Sequence, residues 1–192
     1  MQNPYAIFRD WFAQAQTTAS ISEPTAMTLA TANADGAPSA RIVLLKAYDE
    51  RGFVFYTNTQ SRKGQELDAN PRAALVFYWM PLDKQVRIEG SISRVSDVEA
   101  DAYFASRERL KQAGAWASLQ SQPLDARGTL EARTAAIEAE YSGRDIPRPP
   151  HWTGYRLTPE RMEFWHQREG RLHEREVYTR HADGWAHTLL YP

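Results

Sequence analysis

Several sets of residues in this chain have the types and spacing to bind an anion. Ser61-Arg62-Lys63 follows an apolar run that ends Tyr56-Thr57-Asn58. With Ser61 as a helix cap, free amides and two cations would converge there, which is phosphate-binding chemistry. The plain alternative is a solvated basic pair at a helix start. Tyr103, Arg107 and Lys111 are spaced by four, so an unbroken helix would set a phenol, a guanidinium and an ammonium on one face. They could hold a second phosphate or form a solvent-facing stripe. Arg171, His173 and Arg175 are two apart, so an extended segment would put them on one side of a sheet. Such a row repels itself unless an anion or nearby acids (Glu169, Glu174) intervene. Arg41 and Lys46 lie in one β-like run at odd separation, which a regular strand would send to opposite faces.

The other function classes find little support. The 192 residues carry a net charge of -1, so no global field draws nucleic acid or anionic lipid. With no cysteine, thiolate metal sites and cysteine nucleophiles are ruled out, and a reducing cytoplasm fits. The five histidines show no metal-ligand spacing, and no apolar run reaches membrane-spanning length. Dinucleotide, Walker and nucleophile-elbow motifs are absent.

The elements that would position these residues read as mainly β. Residues 1–20 are expected to hold a helix, with Ile7, Phe8, Trp11 and Phe12 along one side. Strands are expected at 26–33, 39–48 and 53–58 as an antiparallel meander, with a tight turn at Asp35-Gly36. A helix at 61–69 precedes strands at 73–79 and 85–95. Residues 97–142 form a helical elaboration, with helices at 97–109 and 129–141. Leu130, Thr134, Ile137 and Tyr141 would share a face of the second. Prolines forbid regular helix over 146–151. Short strands return at 155–157, 162–165, 174–180 and 185–190. The sum is one antiparallel barrel domain over 1–192 with peripheral helices, its C-terminal strands spanning 153–192.

Seven stretches together resemble the pyridoxamine/pyridoxine 5'-phosphate oxidase family: RIVLLKAY (41–48), FYTNTQSRK (55–63), Gln85-Val86, YFASR (103–107), GAWASLQS (114–121), EFW (163–165) and RLHER (171–175). The resemblance runs from about Asn3 to Pro192. It implies an FMN-binding split barrel working as a homodimer, with FMN between the subunits. Arg41, Arg62 and Lys63 would take the FMN phosphate. Ile42, Val43, Leu44, Leu45, Lys46, Tyr56 and Thr57 would line the flavin. Gln85, Gln120, Ser121, Trp165 and Arg175 would complete its site.

The resemblance also implies a small phosphorylated pyridine substrate, held by Lys46, Tyr103, Arg107 and Lys111. Arg171 and His173 would be the catalytic pair at the pyridine ring, with Arg171 nearest the reacting carbon. Hydride would pass to flavin N5, and O2 would reoxidise the flavin, giving H2O2 and pyridoxal 5'-phosphate. Two departures stand out. Lys111 replaces an expected serine, and the N-terminal start lacks the arginine-bearing arm that members often carry. They keep two alternatives open: a related flavin oxidase of phenazine type, and a non-catalytic flavin- or pyridoxal-phosphate-binding protein. Neither nucleic acid nor membrane is expected as a partner.

Overall fold

A computed structural model describes residues 3–192 of the chain. Helix α1 (Pro4–Thr17) starts at Asn3, whose side chain accepts from the Tyr5 amide at 3.0 Å. Pro4 sits in the first turn, where its missing N–H leaves no helix bond unmade. This is the helix expected over 1–20; Met1 and Gln2 of that span lie outside the described residues. Phe8 and Phe12 are buried among Tyr48, Phe53, Phe77 and Trp79, while Ile7 and Trp11 pack partly buried at the edge.

Strands β1 (Ala26–Ala32) and β2 (Pro38–Leu44) form a hairpin. In its turn the Asn33 side chain accepts from the amides of Asp35 and Ala37, and Gly36 adopts φ 82°. The run expected as one strand over 39–48 breaks after Leu44. The Leu45 amide donates to Thr25, whereas the next amide, Lys46, donates to Val54. Leu45 turns into the core, and the chain passes from one limb of the curled sheet to another. Strand β3 (Ala47–Asp49) then pairs with β4 (Gly52–Asn58). The expected three-strand meander therefore does not form, because β4 takes β3 and a late strand as neighbours instead of β2. The break also removes the odd-spacing conflict between Arg41 and Lys46, which no longer share a strand.

Helix α2 (Arg62–Ala69) leads to β5 (Arg72–Trp79) and β6 (Lys84–Arg94). Where one helix was expected over 97–109, there are two: α3 (Asp97–Ala105) and α4 (Arg109–Ala117). Side chains make the corner. Gln112 donates to the carbonyls of Phe104 and Ala105, and the Ser106 hydroxyl donates to that of Tyr103. Helix α5 (Thr129–Glu140) packs on α4.

The segments expected as separate strands at 155–157 and 162–165 are one strand, β7 (Trp152–His166). Pro159 is tolerated because it lies opposite Gly90, where the register with β6 shifts. A Cβ on Gly90 would come within 2.0 Å of the Thr158 carbonyl oxygen, so the close approach itself requires glycine. Strands β8 (Glu174–His181) and β9 (Gly184–Leu189) complete the sheet. Its order is β2-β1-β5-β6-β7-β4-β3, with β8 also on β7 and β9 on β8. The first half of β7 pairs with β4 and the second with β8, so this long strand is the spine of a curled, wholly antiparallel split barrel. One face of it, including Val86, Ile88, Met162, Phe164 and Tyr178, is buried in the core. Each large apolar side chain there contributes about 1.5–3 kcal/mol.

Candidate functional site

The loop after β4 and the start of α2 assemble the first basic cluster. Ser61 caps the helix, its Oγ accepting from the Gly64 amide at 3.3 Å. Lys63 Nζ donates to Gln120 Oε1 at 2.9 Å and to Thr57 Oγ1 at 3.2 Å, tying three expected cofactor residues together. Burial, then the nearby Arg41 charge, lowers the Lys63 pKa, with Glu66 opposing. Arg62 donates through Nε to Glu66 Oε1 at 2.8 Å. Arg41 reaches the same carboxylate through Nη2 at 3.2 Å and also donates to the Leu29 carbonyl. Glu66, which sequence reading missed, is buried at 5% exposure. Burial would raise its pKa, but donors from Ser39, Thr31, Arg62 and Arg41 hold it at about 2. Its spacing of four from Arg62 was the available signal.

A cleft of about 270 Å³ opens beside this cluster, lined by Val43, Leu44, Lys46, Lys63, Gln120 and a set of aromatic rings. Tyr56 stacks on Tyr103 at 4.0 Å between centroids and on Trp152 at 5.1 Å. Arg107 lies over Trp152 at 4.8 Å, and its Nη1 is buried with no hydrogen-bond partner. Burial lowers the Arg107 pKa, with Tyr103 opposing, and burial raises the Tyr103 pKa against the pull of Arg107 and Lys111. The helix break after Ala105 does not scatter the second basic set, since Lys46, Tyr103, Arg107 and Lys111 line one adjoining recess. Lys111 also pairs with Glu108 at 3.0 Å. Trp152, missed in sequence, is the plate behind both Tyr56 and Arg107. Ile42 is exposed at the rim, Leu45 belongs to the core, and Ser121 has a left-handed backbone (φ 73°) beside Gln120.

The remaining expected residues lie elsewhere on the chain. Trp165 is opposite Gln85 on β6 and Arg175 on β8, so the three form one row across the sheet. Arg175 Nε donates to Glu163 Oε1 at 2.9 Å, and its Nη1 donates to the Tyr191 carbonyl. Glu163, only 2% exposed, also takes Arg161 and Arg87. The expectation that Arg171, His173 and Arg175 share one extended face is corrected here. Gly170 and Arg171 both have φ near 60°, which turns the chain, and β8 begins only at Glu174. Arg171 is exposed on that turn; His173 packs against Trp165 at 4.8 Å and accepts from the Arg168 amide through Nδ1. Neither lines the cleft holding Lys46 and Arg107. Exposed Tyr78, Met80, Leu172, Leu189 and Tyr191 leave apolar surface on strands and turns beyond the core.

A planar, phosphorylated cofactor fits the donor set. Cations and free helix-start amides suit a phosphate, apolar Val43 and Leu44 suit a ring, and the partnerless Arg107 nitrogen marks a second place for an anion. No helix among the described residues is long and apolar enough to cross a membrane.

Two family models match. One, described as pyridoxamine 5'-phosphate oxidase, covers residues 13–166, and the other, the pyridoxine 5'-phosphate oxidase C-terminal dimerisation region, covers 152–192. A Myxococcus xanthus protein named pyridoxine/pyridoxamine 5'-phosphate oxidase is 57% identical over 99% of this chain and 92% of its own. A Sphingopyxis alaskensis protein of the same name is 56% identical over 99% and 88%. Among solved structures, PhzG from Burkholderia lata, in complex with tetrahydrophenazine-1-carboxylic acid, superposes with a TM-score of 0.93 at 37% identity. That match covers 100% of this chain and 94% of the other. A related FMN-binding protein from Nostoc punctiforme, at 20% identity and a TM-score of 0.78, shares the fold.

Proposed function

The chain belongs to the pyridoxamine 5'-phosphate oxidase family and carries its C-terminal dimerisation region; from this we propose that it is an FMN-dependent oxidase converting pyridoxamine or pyridoxine 5'-phosphate to pyridoxal 5'-phosphate. The observation that carries the substrate assignment is the recess lined by Lys46, Tyr103, Arg107 and Lys111, with one Arg107 nitrogen left without a partner. A buried guanidinium nitrogen without an acceptor is costly, and a substrate phosphate supplies the acceptor. A carboxylate can also accept from that nitrogen, but a phosphate offers more acceptor oxygens and charge to a recess that gathers Lys46, Tyr103, Arg107 and Lys111.

Arg62 and Lys63, with Arg41 behind them, would hold the FMN phosphate, with Gln120 and Ser121 nearby. Ile42, Val43, Leu44, Lys46, Tyr56 and Thr57 would line the flavin, whereas Leu45, expected with them, is turned into the core. FMN would supply the redox chemistry, taking two electrons from the substrate carbon and passing them to O2 to give H2O2. The imine formed from the amine substrate would then be hydrolysed by water to the aldehyde with release of ammonia, whereas the alcohol gives the aldehyde directly. Lys46, Tyr103, Arg107 and Lys111 orient the substrate by its phosphate.

The Gln85–Trp165–Arg175 row and the Arg171/His173 turn stand apart from the cleft in one chain. We infer that a homodimer brings them to the partner's cleft, where a two-fold interface offers contacts from both subunits. Arg171 and His173 would there face the substrate ring. Purified protein should be yellow and release peroxide with either phosphorylated vitamer. If FMN-loaded protein turns over neither, the reading fails. Turnover of a tricyclic carboxylate instead would favour the phenazine-type activity, and flavin left oxidised by every substrate would favour a carrier.

A further inference from the structure

Glu66 is the one buried carboxylate that two of the cofactor-side arginines share. Its Oε1 accepts from Arg62 Nε at 2.8 Å; its Oε2 accepts from Arg41 Nη2 at 3.2 Å, from Ser39 Oγ at 2.6 Å and from the Thr31 hydroxyl. Both oxygens are thereby occupied, and the side chain has 6% exposure. The two arginines are treated differently. Arg41 is 20% exposed, and both its terminal nitrogens are bonded within the chain, to Leu29, Thr31, Ser39 and Glu66. Arg62 is 65% exposed and held by Nε alone, which leaves Nη1 and Nη2 without a partner among the described residues.

We propose that Glu66 is a positioning residue for the cofactor phosphate: it grips Arg62 by its Nε edge and so presents the paired terminal nitrogens beside Lys63 and the start of α2. This rests on the reading that these residues bind the FMN phosphate. An arginine side chain is long and loses rotamer freedom on binding, so fixing one edge beforehand lowers the ordering cost when the phosphate arrives. The charge also balances. Arg41, Arg62 and Lys63 less Glu66 leave two positive charges, the number that a phosphate dianion neutralises. Removing the Glu66 charge adds net attraction for an anion but weakens the hold on both guanidiniums: Arg62 loses its charged anchor, while Arg41 keeps Leu29, Thr31 and Ser39. With one of them largely buried and all Glu66 oxygens in use, the loss of geometry dominates.

The test is flavin titration of apo-protein by fluorescence quenching, with FMN and with riboflavin, which lacks the phosphate. Glu66→Gln should weaken FMN binding at least tenfold and leave riboflavin binding unchanged. Ser39→Ala removes one donor to Glu66, lies outside the proposed ligands, and should weaken FMN several-fold; it serves if the first variant does not fold. An equal change for both flavins would make Glu66 merely structural and overturn the proposal. So would FMN binding that is unchanged or tighter. Arg62→Ala separates the two levels of inference. If it lowers FMN affinity selectively while Glu66→Gln does not, the phosphate site stands and the positioning role falls. If neither variant discriminates between the flavins, the phosphate site itself is wrong.

Discussion

The Arg107 guanidinium lies 4.8 Å from the centroid of the Trp152 ring, with its Nη1 buried and unpartnered. The aromatic face supports the cation without consuming a donor, so the charge is held ready and left unsatisfied. Trp152 is fixed from behind by Phe104, edge-on at 5.1 Å. The proposed second anion place is therefore built by packing and not by a counter-ion.

Arg107→Ala should lower kcat/KM for pyridoxine 5'-phosphate by roughly 10–150-fold, the worth of about 1.5–3 kcal/mol for a charge-assisted hydrogen bond. Most of the loss should fall in KM, because the phosphate is remote from the reacting carbon. Arg107→Lys should recover part of it as a point charge without the planar fork. Steady-state kinetics with peroxide detection decides, and an effect confined to kcat would count against phosphate binding.

Glu66 makes stability fall in acid. Its folded pKa is about 2, against an ordinary 4.5, so its contribution is complete above the ordinary value and disappears as pH falls toward about 2. The difference amounts to roughly 3 kcal/mol. Thermal melts of wild type and Glu66→Gln should be furthest apart above about pH 5 and converge near pH 2. Parallel curves across that range would refute the linkage.

Much of this was legible in sequence. An apolar run marked β5, alternation from Val86 to Ile92 marked β6, Ser61 was a visible cap, and Asp35-Gly36 marked its turn. What escaped was tertiary in origin. The break at Leu45 depends on which limb of the sheet each amide can reach. The corner between α3 and α4 depends on Gln112 folding back on carbonyls seven and eight residues earlier. The strands expected at 155–157 and 162–165 are one because Pro159 sits opposite Gly90 at a bulge, a partner remote in sequence. Trp152 acts through neighbours that only the fold supplies, and of the Glu66 contacts only the spacing of four from Arg62 is visible in sequence, those with Thr31, Ser39 and Arg41 being tertiary.

Gly64→Ala should damage the proposed phosphate side of the cleft. A Cβ there would lie 2.3 Å from the Thr59 carbonyl oxygen and 2.7 Å from that of Asn58, both backbone atoms with little freedom to yield. Helix α2 would have to lift from the loop after β4, carrying Arg62 and Lys63 with it. Such overpacking costs about 1–3 kcal/mol. Calorimetry should show a lowered Tm, and FMN titration a larger loss than riboflavin titration. A variant that melts and binds like wild type would mean that the helix start moves without cost.

Glu163→Gln tests the charge ladder on the other face of the sheet. The carboxylate is 2% exposed and accepts from Arg175, Arg161 and Arg87 at 2.9, 3.0 and 3.4 Å. Burial alone would raise its pKa; the bonds from Arg175 and Arg161 reverse this and keep it ionised. An amide of the same shape still accepts one bond but leaves the arginines short of a charge. Breaking a buried cluster in this way costs about 3–5 kcal/mol, but these guanidiniums are 25–39% exposed and water compensates in part. The expected loss is therefore about 1–3 kcal/mol, or roughly 2–12 °C in Tm for a chain of this size. Arg87→Gln removes the longest contact to Glu163 together with a 2.8 Å pair to Glu89 that is partly exposed and worth about 0–1 kcal/mol, so it should cost less than Glu163→Gln. Because Arg175 also donates to the Tyr191 carbonyl, it keeps one anchor in Glu163→Gln, and flavin affinity should fall less than it does in Arg175→Ala. Equal losses in the two variants would show that Glu163 alone orients Arg175.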